Sequence, residues 1–397
     1  MRRRFLLKGS AVLTLIVAGG LVWRAKERGA FGEPTGEPFS PWDLWQAPEI
    51  KGTPLALVAA GLLASNPHNT QPWIFRVRDA EIEVLADTRR NLGSFDPYLR
   101  EAHIGLGCAI ENMVLAAQAN DLTTTIEAAS GSLLEIKSRV EPVSAATLKL
   151  GPTAVRAAPS PLYQAIPRRH TNRYGYVRER PLPASAIDAF KAAVTEPKLR
   201  LFLFDTGPAR QQFDAAAIMA TEEIVADKQM IEDSHAWFRD GPDELARERS
   251  GLALDTAGLS PALLAVAKML PMLPAEQSHK QWLAATRETH LPTAPLVGFI
   301  AVRDRYDRAE TLLAGRSWQR MHLAATTLGI AMHPINQPVE TVDRERQLGR
   351  EPKSEARLAA ITGAPEWKPT FAFRAGFAAR AAPRSARRAL ADVIANG

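Results

Sequence analysis

Between Ser65 and Phe75 the chain carries a run of side chains that could hold a flat, polar ligand. Pro67 and Pro72 each fix a backbone angle and remove an N–H donor, so neither a helix nor a strand ladder can run through this segment. The hydrogen-bonding side chains between the two prolines are His68, Asn69, Thr70 and Gln71. A loop that merely connects a helix to an edge strand would have the same composition, and local chemistry alone does not separate the two interpretations.

The neighbouring elements would position this loop. The segment before it is apolar on all faces, which is typical of a buried helix, and the residues after it alternate between apolar and polar, which is typical of a strand. The predicted elements of the first half are a helix at 54–64, a hairpin of strands 73–77 and 82–86, a helix at 101–120, and weak strands at 123–128 and 133–140. In the long helix, the apolar stripe is formed by Leu106, Ile110, Met113 and Ala117.

The second half repeats the order of helix, polar loop, strand and long helix, so the two halves look like diverged copies. Ser160 and Pro161 suit the N-cap and first position of a short helix that ends at Pro167. The further predictions are helices at 184–194, 208–238, 263–269 and 340–361, a helix that stops at Gly329, and strands at 199–204, 295–302 and 369–377. Residues 240–292 mix charge, glycine and proline, and they predict either a lid or a set of surface helices.

The motif Asn-x-Gln-Pro-Trp-x-Phe, from Asn69 to Phe75, resembles the flavin-contacting loop of the nitroreductase family. The sequence Arg-Arg-His-Thr-Asn-Arg at 168–173 is similar to that family's phosphate-side motif. The two motifs and the order of the segments along the chain together resemble the two-domain, FMN-binding Acg-like branch of that family, over roughly residues 50–395. The resemblance implies an α+β, nitroreductase-like fold in which halves 54–158 and 159–397 form an intramolecular pseudo-dimer, with a lid-like insertion at about 240–292.

FMN joins a flat ring to a dianionic phosphate, which the planar fork of arginine can bind through two oxygens. The resemblance places Arg169, Thr171 and Arg173 on the phosphate, the ribityl chain and the N1/O2 edge of the ring. It also places His170 beside the phosphate and Arg387 and Arg384 on it. For the arginine-rich tail alone, a solvated surface is the alternative.

Further contacts with the flavin ring are implied for the first loop and for a loop of the second half. In the family, a backbone N–H after a Pro-Ile step faces flavin N5, and the candidates here are the amides of Asn336 and Gln337; a polar turn would look the same. The residues implied to contact the cofactor in these loops are Asn66, Pro67, His68, Asn69, Gln71, Pro334, Ile335, Asn336 and Gln337. No catalytic residue is assigned among them.

The sequence departs from the family pattern in two places. Asn-Gln follows the Pro-Ile step where Glu-Gly is common, and Asn66-Pro67 replaces small hydroxyl residues. The first half also has no equivalent of the Arg-Arg-x-x-x-Arg motif, so we expect one FMN per chain in a monomer that imitates a dimer. Under this hypothesis Asn69 and Arg169 line a common cavity.

All of the net charge of +6 lies in the first 30 residues, which hold seven of the 49 Lys and Arg residues and one of the 43 acids. The neutral remainder argues against a nucleic-acid surface. Twin arginines before Phe5-Leu6, and a weakly apolar run at 10–23, resemble a bacterial twin-arginine export signal. Residues 1–30 are therefore predicted to direct export to the periplasm, either as a cleaved signal or as a tether to the outer face of the cytoplasmic membrane. Residues 31–53 are predicted to be a linker, or an arm that packs its tryptophans on the body.

Other chemistries have weaker support. A lone Cys108 in an apolar run permits no intrachain disulfide and predicts a buried structural thiol. The eight histidines include no His-x-x-x-His pair, and the sequence has no phosphate-loop, Gly-x-Gly-x-x-Gly or Gly-x-Ser-x-Gly motif, so no metal site is expected.

Three functions remain open at this point. The first is an FMN-dependent oxidoreductase that passes electrons from NAD(P)H to a nitroaromatic, a quinone or a similar small aromatic acceptor. The second is a protein that sequesters or stores FMN under a lid, without catalysis. The third is an α+β protein without a cofactor.

Overall fold

The computed structural model describes residue 23 and residues 25–29, 35–136, 141–153 and 158–395. Of the predicted export signal at 1–30, residues 1–22, 24 and 30 lie outside the described residues, as does part of the predicted strand at 133–140. The helices are α1 (Pro41–Leu44), α2 (Pro54–Gly61), α3 (Arg100–Ala119), α4 (Pro161–Ala165), α5 (Ala184–Ala193), α6 (Gly207–Ala226), α7 (Lys228–His235), α8 (Pro242–Glu248), α9 (Pro261–Met269), α10 (Ala275–Ala285), α11 (Arg308–Thr327), α12 (Gln337–Gln347) and α13 (Lys353–Thr362).

The strands form two antiparallel four-stranded sheets, one from each half of the chain. They are β1 (Trp73–Arg78), β2 (Glu81–Ala86), β3 (Leu122–Ala128), β4 (Val143–Pro152), β5 (Leu199–Phe204), β6 (Phe238–Arg239), β7 (Leu252–Ala253), β8 (Leu296–Val302), β9 (Ala331–Pro334) and β10 (Lys368–Gly376). The first sheet has the order β1-β2-β4-β3 and the second β5-β8-β10-β9, while β6 and β7 form a small parallel pair. The α+β class and the hairpin of β1 with β2 are confirmed.

The long helices α3 and α11 pack backbone against backbone. A Cβ at Gly107 would lie 2.2 Å from the carbonyl oxygen of Leu312, and one at Gly315 would lie 2.1 Å from that of Ile104. Only glycine permits so close an approach of two helices at these positions. Each half therefore supplies one helix, and the two glycines allow these helices to meet.

Polar contacts on either side of the glycines fix the relative position of α3 and α11. Glu111 on α3 accepts from Arg316 at 3.1 Å and from Arg320 at 2.8 Å. Asn112 accepts from the side chain of Gln319 at 2.8 Å, and that bond is buried. The predicted apolar stripe of α3 is buried in the same core as Trp318 of α11, which packs there against Phe371 at 4.5 Å.

The segment before α2 is an arm that packs on the body. Trp42 is buried, and its indole N–H donates to the carbonyl oxygen of Ser385 at 2.8 Å. The backbone N–H of Arg387 in turn donates to Pro38 at 2.8 Å. The described residues of this region thus pack on the body, and the arm is bonded directly to the tail.

Three predicted elements are corrected by tertiary contacts. The helix expected at 208–238 breaks at Asp227, because the side chain of Asp227 caps α7 and pairs with Arg344. The helix expected at 340–361 divides into α12 and α13 around Gly349, which has a φ of 61°, and Pro352. The strand predicted at 133–140 is instead β4, since Leu133 leaves the sheet to donate its N–H to Tyr306.

Candidate functional site

A cavity of about 1200 Å³ lies where the two halves meet. One wall comes from α3 and α11, through residues that include Ile104, Cys108 and Trp318, and the insertion between β6 and α10 covers another side. The predicted cofactor residues on its wall are Asn66, Pro67, His68, Thr171, Arg173, Pro334, Asn336 and Gln337. The structure thus brings the loops predicted from the two halves to one cavity.

The loop after α2 has an unusual backbone conformation. His68, Asn69 and Gln71 have φ values of 45°, 54° and 51°, in the left-handed region that non-glycine residues seldom adopt. Hydrogen bonds hold them there: the Asn66 side chain accepts from Gln71 N at 2.8 Å, and the Gln71 side chain donates to Arg249 O and accepts from Arg388 N. Backbone strain of this kind persists only where the surroundings enforce it, and it clusters at functional sites.

Asn69 and Gln71 do not lie on the cavity wall. The amide of Asn69 donates to the carbonyl oxygens of Gly251 and Ala386, and its oxygen accepts from Arg387 at 2.6 Å. Arg169 is likewise absent from the wall, so the expected common cavity of Asn69 and Arg169 is not observed. Instead Asn69 is linked through Arg387 to a separate buried cluster that contains Arg169.

This cluster, which we call the arginine cradle, consists of Arg169, His170 and Arg387. Arg169 donates to the carbonyl oxygen of Leu63 and Arg387 to that of Ala64, so the two guanidinium groups lie side by side at the end of the first-half helix. The next residue, Ser65, lines the large cavity. The cradle therefore adjoins the cavity at the junction of the two halves.

The cradle holds buried positive charge without an acidic partner. Arg169 and Arg387 are each 2% exposed, and neither forms an ion pair within the part of the chain that the structure describes. Nε and Nη1 of Arg169 and Nε of Arg387 have no acceptor there. Burial lowers the pKa of Arg169 to about 10. Burial, and then the charge of Arg169, lower the pKa of Arg387 to about 9.

The arm closes the cradle with an aromatic ring. Trp42 packs against the ring of His170 at 4.7 Å and lies under the guanidinium of Arg387 at 4.9 Å. Burial, and then the charges of Arg169 and Arg387, lower the pKa of His170 to about 3, so its imidazole is neutral. Donors with no acceptor and cations with no acid fit a phosphate dianion.

Arg384 is placed apart from the cradle. Its side chain is 47% exposed and pairs with Asp43 at 3.5 Å, on the outer side of Trp42. Arg384 thus lies at the solvated surface, as the alternative interpretation of the arginine-rich tail expected, whereas Arg387 is buried.

The loop before α12 presents backbone donors to the cavity. Ile335 is buried in the core of the second half, where its N–H donates to Ala372 O. The side chain of Asn336 is fixed at both ends, because it accepts from Ala372 N and donates to Glu101 at 2.9 Å. The backbone N–H groups of Asn336 and Gln337, at the positive end of the α12 dipole, have no acceptor among the described residues.

Sequence reasoning missed two groups on the cavity wall. One is a hydrogen-bonded chain in which Ser234 Oγ lies 3.0 Å from His68 Nε2 and 3.1 Å from His279 Nε2. The other is the carboxyl pair Glu101 and Glu340, both buried. The sequence carries one signal for the pair, a charged Arg100-Glu101 step at the start of a helix whose other buried residues are mostly apolar.

Arg173 and Thr171 connect the second-half loop to the cavity. Arg173 donates to Thr256 O of the insertion at 3.1 Å, and burial lowers its pKa to about 10, with Arg374 adding to the shift.

Cys108 is buried as predicted, and burial raises the pKa of its thiol. No cluster of metal-ligating side chains and no helix able to cross a membrane is found in the described ranges.

Comparison with known proteins gives relatives over most of the chain. Two proteins of Mycobacterium tuberculosis, from strains CDC 1551 / Oshkosh and ATCC 25618 / H37Rv, carry the name "Putative NAD(P)H nitroreductase". Each is 26% identical over 342 residues, a match that covers 83% of this chain and 88% of the relative. No protein-family model matches the chain. The names of these relatives support the nitroreductase superfamily.

Similar solved structures include the FMN-dependent nitroreductase NfnB of Mycobacterium smegmatis in complex with NADPH, at 17% identity and a TM-score of 0.38. That match covers 59% of this chain and 99% of the other. A nitroreductase with bound FMN from Bacteroides fragilis has 16% identity and a TM-score of 0.34, with 58% and 95% covered. At this level of likeness nothing about the ligand of this chain follows from either structure.

Proposed function

We propose that this chain is an FMN-dependent oxidoreductase, which takes electrons from NAD(P)H and passes them to a nitroaromatic, a quinone or a similar acceptor. The observation that carries the proposal is the arginine cradle. Two buried guanidinium groups with unused donors and no acid beside them require an anion, and a phosphate dianion meets both the charge and the number of donors. The names of the relatives support the same function.

In this proposal Arg169 and Arg387 hold the phosphate, and the adjoining cavity takes the ring. Thr171 and Arg173 approach from the second half, and Asn66 and His68 from the first. The free N–H groups of Asn336 and Gln337 are available to a polar edge of the ring. FMN supplies hydride transfer; the protein supplies binding, orientation and exclusion of water.

A second candidate, a protein that sequesters FMN, is favoured by the insertion. Its backbone bonds directly to the first-half loop, since Gly251 N donates to Asn69 O at 3.0 Å. It also contacts the arm and the residues just before it, because Arg249 pairs with Glu37 at 2.5 Å and Lys268 donates to Gly29 O at 2.7 Å. Arm and insertion together cover one side of the cavity, and a cover held in this way would hinder the entry of NAD(P)H and of an acceptor.

Anaerobic addition of NAD(P)H to the purified yellow protein distinguishes the two candidates. The oxidoreductase is expected to lose its blue absorbance band rapidly, at a rate that saturates with NAD(P)H, and to recover it when a quinone is added. A band that persists while dithionite still bleaches it would instead identify a holder of FMN. A colourless protein that takes up no FMN would contradict both.

We further propose that the protein is exported by the twin-arginine route. The support is the sequence of the leader alone, most of which lies outside the described residues. Cell fractionation of the full chain against an Arg3→Lys, Arg4→Lys variant tests it: the variant should stay in the cytoplasm, and equal distribution of the two would contradict export by this route.

A further inference from the structure

A cluster of buried acids lies where the first turn of α3 meets α12. Its members are Asp96, Arg100, Glu101, Glu340 and Asp343, with Tyr306 beside them. One guanidinium faces four carboxyl groups, so the cluster would carry a large negative charge if every acid were ionised. Buried charge without compensation is costly, and part of this cluster must therefore be protonated.

Two of the acids have donors that favour their ionised forms. Asp343 accepts from Nε of Arg100 at 2.7 Å and from the hydroxyl of Tyr306 at 2.8 Å. Asp96 accepts from the backbone N–H groups of Glu101 and Ala102 at 3.0 and 2.9 Å. Neither Asp96 nor Asp343 lines the large cavity.

The other two acids, Glu101 and Glu340, do line the cavity. Glu101 accepts from the Asn336 amide at 2.9 Å and from Arg100 at 3.4 Å, whereas Oε2 of Glu340 has no donor among the described residues. With one guanidinium for four buried carboxyl groups, the proton belongs on the acid whose oxygen lacks a donor, which is Glu340.

The electrostatics agree with this assignment. Burial, and then the nearby Glu101 carboxylate, raise the pKa of Glu340 well above its ordinary value, and Arg100 only partly opposes them. Burial raises the pKa of Glu101 to about 7 and that of Asp96 to about 6, with Arg100 again opposing. Asp343 adds to the shift at each of these three carboxyl groups.

We propose that Glu340, buried beside Glu101 on the cavity wall, is the proton donor to the acceptor that is reduced in this cavity. This inference rests on the proposed oxidoreductase function. A hydride, which NAD(P)H would supply through FMN in the proposed function, would deliver two electrons and one proton to a quinone and leave a hydroquinone monoanion that needs a second proton. The O–H bond of Glu340 breaks, an O–H bond forms on the second oxygen of the acceptor, and the Glu340 carboxylate regains a proton from solvent.

Glu340→Gln tests the role of the proton, because glutamine keeps the size and the hydrogen-bonding capacity of the side chain but cannot release a proton. Reduction of the holoprotein by NAD(P)H should keep its wild-type rate, while turnover with a quinone should fall by about 10²-fold, as expected for the loss of a general acid. The fall of the quinone rate at high pH, where Glu340 ionises in the wild type, should disappear. Glu340→Asp, which keeps an acidic proton, should recover part of the quinone rate.

Two measurements on the apoprotein report on the proton without catalysis. Wild-type apoprotein at neutral pH should show the infrared carbonyl band of a protonated carboxylic acid, and this band should weaken in Glu340→Gln. Because the folded state holds protons that the unfolded chain releases above pH 4.5, wild-type stability should fall as pH rises from about 4.5 through about 7 and beyond. Glu340→Gln should show a shallower fall.

Glu345→Gln is the matched control, since Glu345 lies on the same helix and only accepts from Ser354 outside the cavity. It should match the wild type in quinone turnover and in the infrared band. A Glu340→Gln protein with wild-type quinone turnover and an unchanged pH profile would overturn the donor role, even if FMN binds. A wild type that binds no FMN would overturn the proposed function, while the infrared band and the stability profile would still test whether Glu340 is protonated.

Discussion

Replacement of Arg169 by methionine is expected to weaken FMN binding by about 10²- to 10⁴-fold while leaving the apoprotein at least as stable as the wild type. Two N–H donors of Arg169 have no acceptor among the described residues, and charge-assisted hydrogen bonds contribute about 1.5–3 kcal/mol each. Loss of two such bonds to a phosphate gives this range of affinity, since about 1.4 kcal/mol corresponds to a factor of ten.

The expected gain in apoprotein stability has a separate cause. Arg169 is buried beside Arg387 without an acid, so in the apoprotein its charge is uncompensated. Methionine keeps much of the volume and removes the charge. Fluorescence titration with FMN measures the affinity, and thermal unfolding of the apoprotein measures the stability.

Arg384→Met is the matched control for the same substitution. Arg384 is half exposed and pairs with Asp43, so both FMN affinity and stability should stay near wild type. If Arg169→Met and Arg384→Met bound FMN equally well, the cradle would not be the phosphate site. If Arg169→Met lost FMN only because it unfolded, the assignment of uncompensated charge would be wrong.

Gly107→Ala is expected to destabilise the protein by about 2 kcal/mol or more and to lower its FMN content. The new Cβ would lie 2.2 Å from Leu312 O and 3.0 Å from the Cα of Gly315, so the backbone of α11 would have to move. Overpacking costs typically about 1–3 kcal/mol and occasionally more, and the approximately 1 kcal/mol that alanine gains over glycine in a helix offsets only part of a clash with backbone atoms. Chemical unfolding measures the loss.

Gly61→Ala controls for the helix propensity of alanine. Gly61 also lies in a buried helix, but its new Cβ would meet the Met113 side chain at 3.1 Å, and that side chain is flexible enough to shift. Its stability should remain within about 1 kcal/mol of wild type. Equal stability of Gly107→Ala and the wild type would show that α3 and α11 do not meet as closely as described.

Local sequence patterns predicted most of the elements and the two loops that meet at the cavity. Proline at both ends of the loop after α2, alternation in β1 and β2, and the Ser160–Pro161 start of α4 each depend on neighbours in sequence. Ser160 Oγ accepts from Tyr163 N as that cap requires. Short-range rules therefore sufficed for these features.

Features that depend on distant contacts could not be predicted in this way. Asp227 ends a helix because it pairs with Arg344, 117 positions later. Asn69 and His68 are neighbouring polar residues of one loop, and the sequence does not distinguish them. The contacts of Asn69 with Gly251, Ala386 and Arg387 nevertheless turn its side chain away from the cavity. Glu340 lies in a segment rich in charge, and only packing against Glu101 shows that its carboxyl is buried.

The central claim is that the halves dock so that a phosphate is bound between Arg169 and Arg387 while a flavin ring fills the cavity beside them. Equilibrium titration of the wild-type apoprotein with FMN and with riboflavin, which lacks the phosphate, tests it most directly. The account predicts one site per chain and an FMN affinity at least about 10²-fold above that for riboflavin. Equal affinities, or no binding of either flavin, would contradict it.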